Sequence, residues 1–291
     1  MAKTAADQGP KVVTIEKRKV FMVTDDLGSY ADFDVVRVKN GKKEEITQPV
    51  ATEVPCTIVV SGSEVATIMC TPTYLREFAT GYLYTSGMLN SANEVTEFYC
   101  DTTRWRLDVE TTRKIDLSLL GKRVYTSGCG KGVMYSNIIM LSSRHPLKSD
   151  FSVDKGFLSK CMKWFLTCSQ LYKETHGVHT AALSLGGKLP QFCVDDIGRH
   201  NAVDKIIGHS LMNAVDFSKS MLICTGRISS DILHKVKRSG IPIVLSRGTA
   251  THQTILMARQ MGVTVIGFAR GGSFIIYSHS GRITFEYECK K

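Results

Sequence analysis

The stretch Thr126-Ser127-Gly128-Cys129-Gly130-Lys131-Gly132 holds the residues best suited to chemistry. Glycines flank Cys129 on both sides, so neighbouring side chains do not screen its sulfur and the backbone can turn sharply. Lys131 and the N–H groups of such a loop favour the thiolate, which is the nucleophilic form of the residue. The same residues also suit a tight turn that merely contains a cysteine. None of the other cysteines (Cys56, Cys70, Cys100, Cys161, Cys168, Cys193, Cys224 and Cys289) has glycine on both sides, and most lie among apolar residues. They read as small buried hydrophobes. The total is odd and no two form a CxxC, which argues against a disulfide scaffold and a zinc ribbon.

A second cluster is Asp195-Asp196-Ile197-Gly198-Arg199-His200, followed by Asp204-Lys205. Placed between a strand and a helix, these groups would line the crevice of an open α/β sheet. Arg199 or His200 could hold an anion or hydrogen-bond a base; the alternative is a helix capped near Asp196. Thr225-Gly226-Arg227-Ile228-Ser229 and Ser246-Arg247-Gly248-Thr249-Ala250-Thr251 each follow a strand pattern and open a helix pattern. Hydroxyls, arginines and helix N–H groups together suit a phosphate or a carboxylate. Phe268-Ala269-Arg270-Gly271-Gly272-Ser273 follows the last parallel strand in the same way. Phe268 could stack on a base, and Gly271-Gly272 would let the backbone approach a ligand closely. Three such loops at successive strand ends predict one crevice for a nucleotide-like anion.

His176 and His179, with Cys193 and His200 nearby in sequence, invite a test for zinc. A deaminase-type site needs a His-x-Glu and a Pro-Cys-x-x-Cys, and neither string is present. The two histidines therefore read as structural, and no metal is expected. The GxSxG, P-loop and GxGxxG patterns of hydrolases, kinases and Rossmann dehydrogenases are missing as well.

The elements that must position these residues fall into two regimes. Cys56–Val60 and Val65–Met69 read as a hairpin around Ser61-Gly62-Ser63-Glu64. A helix follows, with Thr71 as its cap, Pro72 in its first turn, Leu75, Phe78, Ala79, Tyr82 and Leu83 at helical spacing, and Gly87 as its stop. Val95–Cys100, Arg106–Glu110 and Arg123–Thr126 are further strands. A helix from Lys155 to Lys173 carries the stripe Phe157, Cys161, Trp164, Cys168 and Leu171. After about residue 175, strands at Thr180–Leu185, Leu189–Val194, Met221–Cys224, Pro242–Leu245 and Val263–Phe268 alternate with helices at Asn201–Leu211, Ser230–Ser239 and Thr251–Met261. Alternation implies βαβ crossovers and a mostly parallel sheet. Ile275–Ser278 and Arg282–Phe285 read as a closing hairpin. The organisation expected is a disordered lead-in over 1–20, a smaller β-rich α+β domain over 21–150 carrying the Cys129 loop, and an α/β domain over 151–291.

The chain is long enough, at 291 residues, to build its core without disulfide staples. It has no apolar run of about 18 residues and no apolar leader, so neither a membrane span nor a signal peptide is expected, and a cytoplasmic location follows. The net charge of +10 attracts phosphates or acidic proteins, or is simply a solvated basic face. No basic run interleaved with aromatics points to nucleic acid.

Taken together, TPTYLREFATGYLYTSGML, TSGCGKG, HTAALS, DDIGRHNAVDKIIG, TGRISSDILHKVKRSGIPIVLSRGTAT and VIGFARGGSFIIYSH, in that order, resemble the FdhD/NarQ family of formate dehydrogenase accessory sulfurtransferases. The resemblance implies a small N-terminal α/β domain joined to a three-layer, cytidine-deaminase-like domain with a mixed, mostly parallel sheet, kept without its zinc ligands. It implies a homodimer. It also implies an activity: sulfur is accepted from a cysteine desulfurase as a persulfide. The sulfur then passes to the molybdenum (or tungsten) bis-guanine-dinucleotide cofactor, before that cofactor enters formate dehydrogenase. By position, Cys129 matches the persulfide cysteine. Phe268, Ala269, Arg270, Gly271, Gly272 and Ser273 match the cofactor-binding segment, and Arg199, His200, Arg227 and Thr249 match other recurring positions. The chain departs at Gly132, where many members place a second loop cysteine. A sulfur-free chaperone of the cofactor is the alternative, and a zinc deaminase is a third reading.

Overall fold

The computed structural model describes residues 28–112, 115 and 145–285, with the backbone alone of strands at 11–15, 18–22, 123–125 and 133–135. The first half contains β1 (Lys11–Ile15), β2 (Arg18–Met22), β3 (Tyr30–Lys39), β4 (Lys42–Ala51), β5 (Val54–Val60) and β6 (Ser63–Cys70). Helix α1 (Leu75–Thr85) and strands β7 (Val95–Asp101), β8 (Arg106–Thr111), β9 (Arg123–Tyr125) and β10 (Val133–Tyr135) complete it. One sheet has the order β1-β2-β7-β8-β5-β6. Strands β1 and β2 thus lie at or beside the expected lead-in; the β-formers of KVVTI and RKVFM suit an edge pair. The expected hairpin is β5–β6, closed by Ser61 and Gly62 with φ of 46° and 79°. Positive φ at both turn residues matches the twist of the flanking strands. Val54, Cys56 and Ile58 face inward and meet Phe78, Ala79, Tyr82 and Leu83 of α1.

Strands β11 (Val153–Asp154), β12 (His179–Leu185), β13 (Cys193–Asp196), β14 (Ser220–Cys224), β15 (Ile243–Ser246), β16 (Thr264–Arg270), β17 (Ser273–Ser278) and β18 (Ile283–Thr284) make up the second half. Its helices are α2 (Lys155–Cys168), α3 (Gln170–Thr175), α4 (Arg199–Met212), α5 (Ser230–Ser239) and α6 (His252–Met261). The main sheet runs β13-β12-β14-β15-β16-β17. It is mixed, as expected, but not mostly parallel: β14–β15 and β15–β16 pair parallel, and the outer pairings are antiparallel. Only α5 and α6 return the chain as crossovers, and a helical crossover is what a parallel neighbour needs. Inward residues alternate along the strands. Leu222, Val244 and Val265 pack under α4, α5 and α6. Met221, Ile223, Ile243, Leu245 and Ile266 pack under α2 on the other face. The result is three layers, helix–sheet–helix.

Several expectations are corrected by the fold. The helix expected from Lys155 to Lys173 breaks at Ser169, which leaves helical geometry at φ −84°, ψ 115° and caps α3. Its hydroxyl accepts from Tyr172 N and donates to Asp195 Oδ2, a local competition with the helix ladder. The strand expected over Leu189–Val194 starts only at Cys193, because Pro190 has no N–H to give a ladder. The closing hairpin does not form. β17 returns along β16 through Gly271-Gly272, and β18 pairs in parallel with β11. Leu147 N donates to Met261 O, and Arg282 holds Leu147 O, so the segment before β11 packs on the second half.

The two halves meet where α1 crosses α4. Asp204 accepts from Thr85 Oγ1 (2.7 Å) and from Lys235 Nζ (2.7 Å), all three buried. Arg238 Nη2 donates to Leu89 O at 2.7 Å, and its guanidinium lies over the Tyr84 ring. Thr71 does not cap α1, whose N-cap is Tyr74. Instead Thr71 N donates to Asp196 Oδ2 and its Oγ1 accepts from Ile197 N, across the same seam. Asp196 pairs with Lys205 at 2.7 Å, both side chains without solvent exposure.

Candidate functional site

The parallel strands β14, β15 and β16 end side by side, and the loops that follow are locked onto one another. Ser246 Oγ donates to Gly226 O (2.5 Å) and accepts from Gly248 N (2.9 Å). Ile228 N donates to Thr249 O, and Phe268 N to Gly248 O. Residue 248 must be glycine for this stacking, since a Cβ there would lie 2.7 Å from Gly226 O. Strand ends held this rigidly can present side chains in fixed positions.

A cleft of about 420 Å³ opens beside them. Thr225, Arg247, Gly248 and Arg270 form one side of it. His179 and Thr180 of β12 line it too, and Phe165, Leu166, Ser169, Tyr172 and His176 come from α2, α3 and the residues that flank α3. Two guanidiniums among hydroxyls suit phosphate oxygens, which arginine binds with paired N–H donors. The apolar wall suits a flat ring. His179 Nδ1 lies 3.0 Å from Thr225 Oγ1. Burial, with Arg199 and His200 adding to it, holds the His179 pKa below its ordinary value. This imidazole is therefore neutral at pH 7, a hydrogen-bonding group and not a third cation. Arg270 also borders a second cavity of about 320 Å³, lined by Leu158, Met162, Lys163 and the 269–274 segment.

The residues singled out in the sequence fall into distinct places. Phe268 is exposed (44%) with a left-handed φ of 52°, and Ala269 is buried. The 268–273 segment is not a loop after a strand: Phe268–Arg270 end β16, Gly271 and Gly272 turn at φ 54° and 85°, and Ser273 begins β17. Arg199 opens α4 with its stem against Gly226. His200 is buried, 3.4 Å from Asp231 Oδ2 and 3.5 Å from Ser229 Oγ. Burial lowers its pKa. Arg227 is exposed, and Thr249 Oγ1 lies 3.1 Å from Tyr277 OH. None of Arg199, His200, Arg227 and Thr249 lines these two cavities. Cys129 and its loop lie outside the described residues, between β9 and β10 in sequence. Arg247 was visible only as part of a motif. His176 and His179, read as structural, stand on the cleft wall, and no local pattern announces the part α2 plays there. Among the described residues, no three of His, Cys, Asp or Glu cluster as metal ligands would.

Fold and cleft define a mixed α/β protein with a cleft, lined by two arginines, beside the ends of its parallel strands. The FdhD/NarQ family model matches residues 51–284, and the chain belongs to that family. It is 34% identical over 252 residues to the sulfur carrier protein FdhD of Bacillus subtilis (strain 168), covering 86% of this chain and 96% of that protein. The sulfur carrier protein FdhD of Staphylococcus haemolyticus (strain JCSC1435) is also 34% identical, over 86% of this chain and 95% of its own. A crystal structure described as a formate dehydrogenase accessory protein, from Desulfotalea psychrophila, superposes with a TM-score of 0.74 at 25% identity, over 88% of this chain and all of that one. No described helix is long and apolar enough to cross a membrane.

Proposed function

We propose that this chain is a sulfur carrier serving the maturation of formate dehydrogenase, with Cys129 as the carrying residue. The Cys129 thiolate attacks the outer sulfur of a cysteine desulfurase persulfide. The S–S bond to the desulfurase breaks, and that cysteine leaves as a thiolate. The acceptor is the molybdenum or tungsten bis-guanine-dinucleotide cofactor, bound as substrate through its phosphates. The observation that carries this reading is the pairing of Arg247 with Arg270 in one cleft, in a chain whose relatives are named sulfur carriers. The three-layer second half supports a cytidine-deaminase-like scaffold turned to binding.

Intact mass after incubation with a cysteine desulfurase and cysteine tests the reading. The wild type gains one sulfur that Cys129→Ala does not. Equal adducts on both proteins, or none on either, overturn it. Gly132, where a second loop cysteine would support a relay, favours one other reading: a chaperone that shields and docks the cofactor without sulfur chemistry. Under that reading Cys129→Ala still supports maturation and Arg270→Ala does not.

A further inference from the structure

His179 opens β12, and Thr225 follows β14, its antiparallel neighbour. Thr225 Oγ1 accepts a hydrogen bond from Thr180 N at 3.2 Å and lies 3.0 Å from His179 Nδ1. A threonine hydroxyl has a single proton to give, and among the described residues the acceptor it meets is Nδ1. A ring proton on Nδ1 would leave that O–H without an acceptor. The network therefore assigns the tautomer whose proton sits on Nε2. Nε2 has no hydrogen-bond partner among the described residues and is not one of the sealed polar atoms that lack one, so it opens on the cleft that His179 lines. The cleft thus holds a neutral N–H donor in a fixed tautomer.

The sheet sets this donor apart from the arginines. The order β12-β14-β15-β16 puts Arg247, after β15, two strands from His179, and Arg270, at the end of β16, three strands away. At about 4.8 Å per strand, these are separations of roughly 10 and 14 Å. Phosphates held by the arginines would leave the base of an extended nucleotide at the β12 end. There the Tyr172 and His176 rings, in edge contact at 5.3 Å, precede the turn into β12 and line the same cleft. Aromatic faces suit a flat ring, and Nε2–H would meet its edge.

We propose that His179 selects the base of the bound nucleotide, donating from Nε2 to the oxygen at position 6 of an oxopurine, with Thr225 as the positioning residue that holds the tautomer. Guanine and hypoxanthine present an acceptor at that position, whereas adenine presents an amino donor. Two donors facing each other are both left unpaired, so adenine is rejected. Selection of this kind presupposes that the cleft receives the nucleotide end of the cofactor, as proposed above.

Calorimetric titration of the full chain with guanosine, inosine and adenosine diphosphates tests the selection. Guanosine and inosine diphosphates should bind alike, and adenosine diphosphate about tenfold or more weaker. In His179→Phe, which keeps a ring and loses the donor, the affinities should converge. NMR of the imidazole nitrogens should find the His179 proton on Nε2 in the wild type and shared between both nitrogens in Thr225→Val, where the preference should narrow. Equal affinities for the guanosine and adenosine ligands, both weakened by Arg270→Ala, overturn base selection and leave the cleft as the phosphate site. An absence of binding, or binding indifferent to Arg270→Ala, overturns the use of the cleft and base selection with it. Inosine diphosphate as weak as adenosine diphosphate overturns the proposal too, since the amino group at position 2 would then be what is read. So does a preference unchanged in His179→Phe, or a wild-type proton on Nδ1. If His179→Phe fails to fold, the wild-type affinities and the position of the imidazole proton decide.

Discussion

Gly81 of α1 and Gly208 of α4 let two helices cross with their backbones in contact. A Cβ on Gly81 would fall 1.9 Å from Asp204 O, and one on Gly208 would fall 1.9 Å from Glu77 O. Neither obstacle is a side-chain tip that could swing away; both are carbonyl oxygens of the facing helix. The joint between the two halves of the protein is therefore set at a spacing that admits no side chain at either position.

Gly81→Ala or Gly208→Ala should force the helices apart. The expected loss is about 3 kcal/mol or more, at the upper end of overpacking costs. Urea unfolding measures it; a change below about 1 kcal/mol would mean that the crossing relaxes easily.

Lys205→Met should be costlier than its surface counterparts. It removes the partner of a carboxylate with no solvent exposure, Asp196, along with bonds to Thr71 O and Asp195 O. Breaking one side of a buried pair costs about 3–5 kcal/mol. The double variant Asp196→Asn/Lys205→Met should recover part of that loss, because no charge is then stranded. A double variant worse than the sum of the singles would refute this account.

Acid should weaken the fold through its buried histidines. Burial pushes His234 down to about 4 from its ordinary 6.5, with Asp231 partly opposing. His200 and His179 are lowered for the same reason. Between pH 6.5 and 4 the unfolded chain binds protons that the folded chain refuses, so stability falls as pH falls and levels off below about 4. The full His234 contribution is roughly 3 kcal/mol. Asp195, whose carboxyl is held up by burial, works in the opposite sense. Urea midpoints at pH 7.5 and 5.0 should differ, and His234→Gln should flatten the difference. An unchanged slope in that variant would count against the assignment.

Arg270→Ala should weaken the binding of guanosine diphosphate, used as a fragment of the cofactor, without moving the melting temperature. Arg270 is exposed and forms part of the cleft wall. Losing one charge-assisted contact costs roughly 1.5–3 kcal/mol, about 10- to 100-fold in affinity. Arg247→Ala should act in the same way, and Arg227→Ala, away from this cleft, should not. Calorimetric titration separates the three, and equal affinities throughout would displace the ligand from this cleft.

Local patterns carried much of the fold. Helix α5 was readable near Ser230–Ser239, because amphipathic spacing and a left-handed Gly240 at its end act within a few residues. The β5–β6 hairpin was readable from Ser61-Gly62 for the same reason. The exposed ribbon β3–β4 escaped notice: its strands lean on almost nothing, so their sequence shows no buried alternation. Thr71 looked like a cap and turned out to bind Asp196, since a hydroxyl satisfies a distant partner as readily as a near one.

The sequence by itself determined the family, the strand-end loops and the candidate arginines, because motif identity and periodicity are properties of neighbours along the chain. Only the tertiary structure decided which of those loops line one cleft, and that Arg247 and Arg270 line it while Arg227 does not. Those relations join residues far apart in the chain, and they follow from how mixed strand pairing, two crossover helices and a side-chain-free helix crossing fill space together.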